Sequence, residues 1–103
     1  MKFYDVRITD KALQDMQMIY EYIATVFKEP DIAMKQYDRI ANAIESLNVF
    51  PERCKLLNYD IAMRQLIIDN YSAIFIVNEN DVTVLRVLYS SSDINSRLNE
   101  QKI

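Results

Sequence analysis

The chain contains no histidine, no glycine and only one cysteine, Cys54. Each absence removes a class of chemistry. Without histidine there is no His-based or Cys/His zinc site, no Ser-His-Asp triad and no imidazole base near neutral pH. Without glycine there is no P-loop and no dinucleotide-binding turn, both of which need a bare backbone where it approaches phosphate. A nucleophile elbow is excluded on the same ground. One cysteine cannot close an internal disulfide, which fits a reducing compartment. No apolar run reaches the ~20 residues of a membrane-spanning helix. The N-terminal MKFYDVRITD has no uninterrupted apolar stretch of the kind a secretory signal carries. The expected location is therefore the cytoplasm, and neither a cofactor nor a metal is expected.

What remains is ordinary globular material: 103 residues, 50% apolar and 26% charged, with a net charge of −3. That length suits one domain spanning residues 1–103. Proteins that live on a phosphate backbone usually carry a strong positive balance. Any nucleic-acid contact here would have to come from a local basic patch.

The apolar spacing sets the order of elements. Tyr4, Val6 and Ile8 alternate with Phe3, Asp5, Arg7 and Thr9, which predicts a half-buried strand over 3–9. Thr9 or Asp10 can cap the helix that follows. Leu13, Met16, Tyr20, Ile23 and Phe27 then recur at steps of three and four, widened by Ile19 and Val26. Lys28-Glu29-Pro30 ends that stripe, because the residue before proline resists helical angles and proline suits the first turn of the next helix. The second stripe is Ala33, Tyr37, Ile40, Ile44 and Leu47, closed by Phe50-Pro51. So short a link makes the two helices antiparallel. Residues 51–60, PERCKLLNYD, read as a polar connector carrying the basic pair Arg53 and Lys55.

Beyond it the period becomes two. Met63–Ile68 and Tyr71–Val77 flank Asp69-Asn70, residue types that tolerate left-handed angles, so a tight hairpin is expected. A turn over 78–81 leads to Val82–Tyr89, apolar on both faces and so suited to the sheet centre. Ser92 or Asp93 can cap a short helix bearing Ile94 and Leu98, and the tail from about residue 99 is expected to fray. The fold class is α+β: β-α-α-β-β-β plus a short C-terminal helix. A helical hairpin covers one face of a mostly antiparallel sheet.

Arg86 is the anomaly, a full charge inside the apolar LRVLY. An unpaired buried guanidinium costs several kcal/mol, and two readings stay open. Arg86 reaches the surface or pairs with a carboxylate such as Asp93. Alternatively, it stands with Arg64 on an uncovered concave face opposite the helices, where planar forks would meet an anionic partner. The serines 90–92 cap a helix, or with its N-terminus they hold a phosphate.

In this order, three stretches resemble the RelE/ParE superfamily, toxins of bacterial type II toxin–antitoxin pairs often labelled plasmid stabilisation proteins. They are IYEYIATVFKEPDIAMKQYDRIANAIESLNVFPE, MRQLIIDNYSAIFIVNEN and LRVLYSSSDI. The resemblance implies that growth is inhibited when the toxin is free, and that a cognate antitoxin neutralises it by wrapping it with a flexible segment. It implies a homodimer or a toxin–antitoxin heterotetramer as the assembled state. Members that cleave messenger RNA on the ribosome handle the phosphodiester with basic residues and a late tyrosine or histidine. If this chain is of that kind, Arg64, Arg86 and Tyr89 would be the catalytic residues. Ser72 and Tyr89, however, stand where arginine and histidine are frequent in the family, and Ser91 and Ser92 replace residues that are often basic. The resemblance is therefore closer to the ParE-like branch, whose members poison DNA gyrase and are not enzymes; a homologue that binds an antitoxin but is no longer toxic is the remaining alternative. The partner-binding residues it implies are Arg64, Arg86, Tyr71, Arg53, Lys55 and Tyr89.

Overall fold

The computed structural model describes residues 1–58, 61–91 and 94. Strand β1 (Asp5–Ile8) leads into helix α1 (Asp10–Val26) and then α2 (Pro30–Glu45). Two single 3₁₀ turns, Ser46–Asn48 and Pro51–Arg53, carry the chain to β2 (Lys55–Asn58), β3 (Met63–Ile68), β4 (Tyr71–Val77) and β5 (Asp81–Tyr89). The strands lie in the order β1-β5-β4-β3-β2, with β1 parallel to β5 and every other pair antiparallel. The fold is α+β, with the helical hairpin on one face of the sheet.

Local chemistry accounts for the joints. Of the two candidate caps, Thr9 takes the role, its hydroxyl accepting from the Ala12 amide at 3.1 Å. Pro30 occupies the first turn of α2. With no glycine available, the left-handed joints fall on Lys28 between the helices, Phe50 before Pro51, Ala62 before β3 and Asp69 in the β3–β4 turn, at φ of 55°, 45°, 51° and 56°.

The core forms where the hairpin meets the sheet. Ile40 and Ile44 from α2 and Leu47 from the 3₁₀ turn after it are fully buried with Phe75, Val82 and Val84. Each such side chain contributes roughly 1.5–3 kcal/mol of transfer free energy. The α2 stripe is the one expected from the sequence. The α1 stripe is rotated: Ala12, Asp15 and Met16 are buried, with Ile19 packed against them, while Leu13, Val26 and Phe27 stand exposed.

Two other expectations need correcting. The connector is not all loop, since Lys55–Asn58 pairs antiparallel with β3 and makes a fifth, edge strand. A four-residue strand interrupted by a register shift leaves too little alternation to be seen in sequence. The strict alternation of β5 also fails. Its register against β4 slips so that Ile74 faces Arg86 and Phe75 faces Val84, leaving Leu85 extra. Leu85 then packs with Met63, Ile74 and Ile76 on the far face, while Val84 and Val87 both enter the helix-side core. The capping serine or aspartate at 92–93, Leu98 and the tail from 99 lie outside the described residues.

Candidate functional site

Arg86 lies at the β5 bulge, opposite Ile74. Its side chain turns towards α1, into the covered interior, and is only 2% exposed. There it meets Asp15, itself 7% exposed, through Nε–Oδ2 at 2.7 Å and Nη2–Oδ1 at 3.1 Å. The same carboxylate also accepts from the Val87 amide at 3.0 Å. The backbone left over at the bulge is satisfied by the helix cap, since the Thr9 hydroxyl donates to the Leu85 carbonyl at 3.1 Å. One residue thus starts α1 and closes the irregularity in β5.

This overturns the open-face picture. Arg86 does not stand with Arg64 on an uncovered surface; its partner among the described residues is Asp15, and Asp93 lies outside them. The far face also carries apolar packing of its own, with Met63 and Ile74 buried and Ile94 against them. Arg64 donates through Nη1 to the carbonyls of Glu52 and Cys54, at 3.0 and 2.7 Å, and so holds the connector onto β3. It borders a separate hollow of about 310 Å³ with Lys2, Tyr4 and Glu79. Arg53 is likewise used by the chain itself. Its Nη1 donates to the Val49 and Phe50 carbonyls at 2.8 and 3.0 Å, which finishes the turn after α2. Lys55 is exposed on the edge strand. The Ser90 hydroxyl pairs with that of Ser72 at 2.7 Å, and Gln65 Nε2 donates to Ser72 at 2.8 Å, so neither serine is poised for a ligand.

Tyr71 and Tyr89 are the two expected residues that do come together. Their rings meet edge to face at 5.4 Å across the β4–β5 pair. Tyr22 and Phe27 make a similar contact at 5.5 Å at the end of α1. Between these two pairs runs a groove built of two adjoining hollows, of about 440 and 660 Å³, which share Tyr22, Tyr71 and Tyr89. The first is bounded by Lys11, Met18, Asp15 and Arg86, and the second by Phe27, Ile32, Gln36 and Asn70. Burial pushes the Tyr71 phenol above its ordinary range, and the neighbouring Tyr89 and Tyr22 add to the effect. Burial likewise raises the Cys54 thiol, against the opposing pull of Arg53 and Arg64.

Met18, Tyr22, Phe27 and Ile32 expose 65%, 55%, 60% and 53% of their surface along or beside this groove. A contiguous apolar patch of this kind on a small domain marks an interaction site. The sequence does carry a trace of it. Met18, Tyr22 and Val26 recur at steps of four, a second apolar row beside the core stripe of α1. Arg86 adds one further feature. Its Nη1 is buried and has no hydrogen-bond partner among the described residues, and a buried donor left unpaired costs about 1–3 kcal/mol or more. Among the described residues no helix is long and apolar enough to cross a membrane.

Comparison with known proteins places this geometry. Residues 6–94 match the model of a family described as the ParE toxin of type II toxin–antitoxin system, parDE. Among solved structures, the chain is similar to one from the chromosomal ParDE system of P. aeruginosa. The two are 22% identical, with a TM-score of 0.75 over 84% of this chain and 96% of that one. It is also similar to a chain of the RelBE2 toxin–antitoxin complex of Mycobacterium tuberculosis, again 22% identical, with a TM-score of 0.59 over 89% and 97% of the two chains. At that identity these two likenesses speak for the fold. A comparison with individually curated proteins found no match. The family match runs from the first strand through the hairpin and the bulged strand to Ile94, so the chain belongs to the ParE toxin family and is the toxin of a type II toxin–antitoxin system.

Proposed function

We propose that this toxin acts by binding DNA gyrase and poisoning it, and that a cognate antitoxin silences it by laying an amphipathic segment in the groove between α1 and the β4–β5 strands. The observation that carries the antitoxin part is the groove itself. It presents Tyr22, Phe27, Ile32, Tyr71 and Tyr89 along adjoining hollows of about 440 and 660 Å³. Helix-in-groove recognition uses apolar anchors one turn apart, and adjoining hollows lined by aromatic and apolar side chains suit them. The neighbours are a ParDE system and a RelBE2 toxin–antitoxin complex, which supports a protein partner for this chain as well.

A binding mode of action fits the side chains better than catalysis does. Cleaving a phosphodiester needs charge neutralisation and proton transfer focused on one phosphate. The three groups that would supply them are spread out. Arg64 is bound to the connector's carbonyls, Arg86 is paired with Asp15 inside the fold, and Tyr89 lies in the aromatic groove. The matching ParE toxin family model supports the same reading.

The test uses purified toxin in a gyrase supercoiling assay, with a translating extract run alongside. Loss of supercoiling at micromolar toxin is expected, with message left intact. Unaffected gyrase together with cut message would transfer the protein to the ribonuclease reading. The groove is tested separately by Ile32→Asp, which should weaken antitoxin binding at least about tenfold without changing toxin stability, since Ile32 is exposed.

A further inference from the structure

The Phe27 end of the groove gathers aromatic rings. Tyr22, Phe27, Tyr71 and Tyr89 all line the hollow of about 660 Å³. They come as two pairs, Tyr22 with Phe27 at the end of α1, and Tyr71 with Tyr89 across β4 and β5. Within each pair the rings stand nearly perpendicular, at 83° and 85°. Glu29, exposed in the link between the helices, lines the same hollow and brings a carboxylate to it. Gln36 and Asn70 add amide groups. A hollow of this volume lies in the range of small-ligand sites. The faces of aromatic rings are electronegative, and the carboxylate carries a full negative charge. Both attract the same kind of guest, a cation that sheds its water readily.

We infer that this hollow is a binding site for a free small quaternary ammonium compound, its methylated cation held among Tyr22, Phe27, Tyr71 and Tyr89 and drawn in by Glu29. A quaternary ammonium fits better than a primary one. It has no N–H to satisfy, and its methyl groups lie comfortably against rings, where cation–π attraction holds the charge. A primary ammonium is strongly hydrated and carries three donors that ring faces cannot all satisfy. The hollow has the size of a whole small molecule, and the amides of Gln36 and Asn70 give the rest of that molecule something polar to touch. The site stands whether or not the antitoxin lies in the groove. Where both bind, they compete for Tyr22, Tyr71 and Tyr89, so the small cation would loosen the antitoxin's hold.

The experiment uses the isolated toxin with choline and its neutral isostere 3,3-dimethyl-1-butanol, each at ionic strength matched with sodium chloride. Binding is followed through the ring resonances of Tyr22, Phe27, Tyr71 and Tyr89. Choline should shift all four saturably and bind about tenfold tighter than the alcohol. Glu29→Gln, at an exposed position, should weaken choline about threefold and leave the alcohol unchanged. Tyr22→Leu keeps an apolar wall but removes a ring, and should bring choline close to the alcohol's level. Tyr22 is exposed, so the fold should survive, and an unchanged melting temperature checks that. Equal binding of the two probes, shifts no larger than sodium chloride alone produces, or a choline affinity that Tyr22→Leu leaves untouched overturns the inference. The antitoxin seat has its own readout. If Ile32→Asp breaks the antitoxin complex while choline leaves the four rings unmoved, the groove stands and this inference falls. If Ile32→Asp leaves the complex intact while choline binds in preference to the alcohol, the inference stands and the antitoxin seat is elsewhere.

Discussion

Replacing Arg86 by methionine is the most informative single change in the molecule. Methionine fills much of the same volume without charge, so packing around α1 is largely kept. Asp15 is not so fortunate. Its carboxylate accepts three bonds, two from Arg86 at 2.7 and 3.1 Å and one from the Val87 amide at 3.0 Å. The substitution leaves one. Breaking a buried ion pair on one side typically costs 3–5 kcal/mol, because a buried charge is left uncompensated. For a domain whose total stability lies in the range of about 5–15 kcal/mol, that is about a fifth of the whole or more. It corresponds to a fall in melting temperature of roughly 15–30 °C for a chain of this size. Asp15→Leu should be at least as harmful, since it strands the guanidinium and also removes the acceptor for Val87. The double variant behaves differently. With both charges gone, the remaining loss is the orphaned Val87 amide, about 1–3 kcal/mol. The cycle should therefore show a coupling of about 3 kcal/mol or more, at the top of the usual range for residues in contact. Urea unfolding followed by far-UV circular dichroism measures all four proteins, and slopes that agree across the set license the comparison. A loss under about 1 kcal/mol for Arg86→Met, or a double variant as unstable as the two single losses summed, would refute the argument that the pair is buried and mutually dependent.

Other consequences follow from single contacts. Thr9→Ala removes the cap of α1 and the donor to the Leu85 carbonyl together, so a loss of about 1–3 kcal/mol is expected in thermal melts. Thr9→Ser, which keeps the hydroxyl, should restore most of it. Ile44→Asp puts a charge at a fully buried position among apolar side chains, and the variant should show no cooperative unfolding transition at all. On the surface, Arg39 holds Asp69 through a two-pronged contact at 2.7 and 2.6 Å, which lowers the Asp69 carboxyl, with Gln36 adding to the effect. A lowered carboxyl contributes stability above its ordinary value near 4 and loses it as pH falls through the lowered value. The melting temperatures of wild type and Arg39→Ala should therefore differ at pH 7 and converge as pH falls through that lowered value, and a gap that persists in acid would contradict this.

Sequence and structure agree where burial follows a regular period. The α2 stripe, the β3–β4 hairpin with its Asp69 turn, and the Thr9 cap are all written in spacing and residue type. They fail where geometry departs from the period. The β5 bulge inserts one residue, so that Val84 and Val87 share the helix-side core, and Arg86, at the offset, is taken up by Asp15 on α1. No pattern of apolar residues announces a bulge, but a lone acid on a buried stripe does hint at one. Asp15 sits between Ala12 and Met16, on the side of α1 that faces the sheet, and demanded a cation. Strand β2 was hidden because four residues ending in a register shift show no alternation. In the candidate site, Tyr71 and Tyr89 were legible through family likeness. Tyr22, Phe27 and Ile32 were assigned to core or left unassigned, because an apolar residue on a helix looks the same whether it faces the protein or a partner.

The joint between the helices has a mechanical consequence. Lys28 takes a left-handed angle, φ 55°, with Phe27 and Glu29 on either side, and both of those neighbours line the groove. A side chain forced into that region admits few alternative angles, whereas a glycine would swing freely. The mouth of the groove is thus braced, and a helix docking there as proposed would meet a stiff bracket. Less freedom is left to be surrendered at the moment of docking, so more of the contact energy survives as tightness of grip.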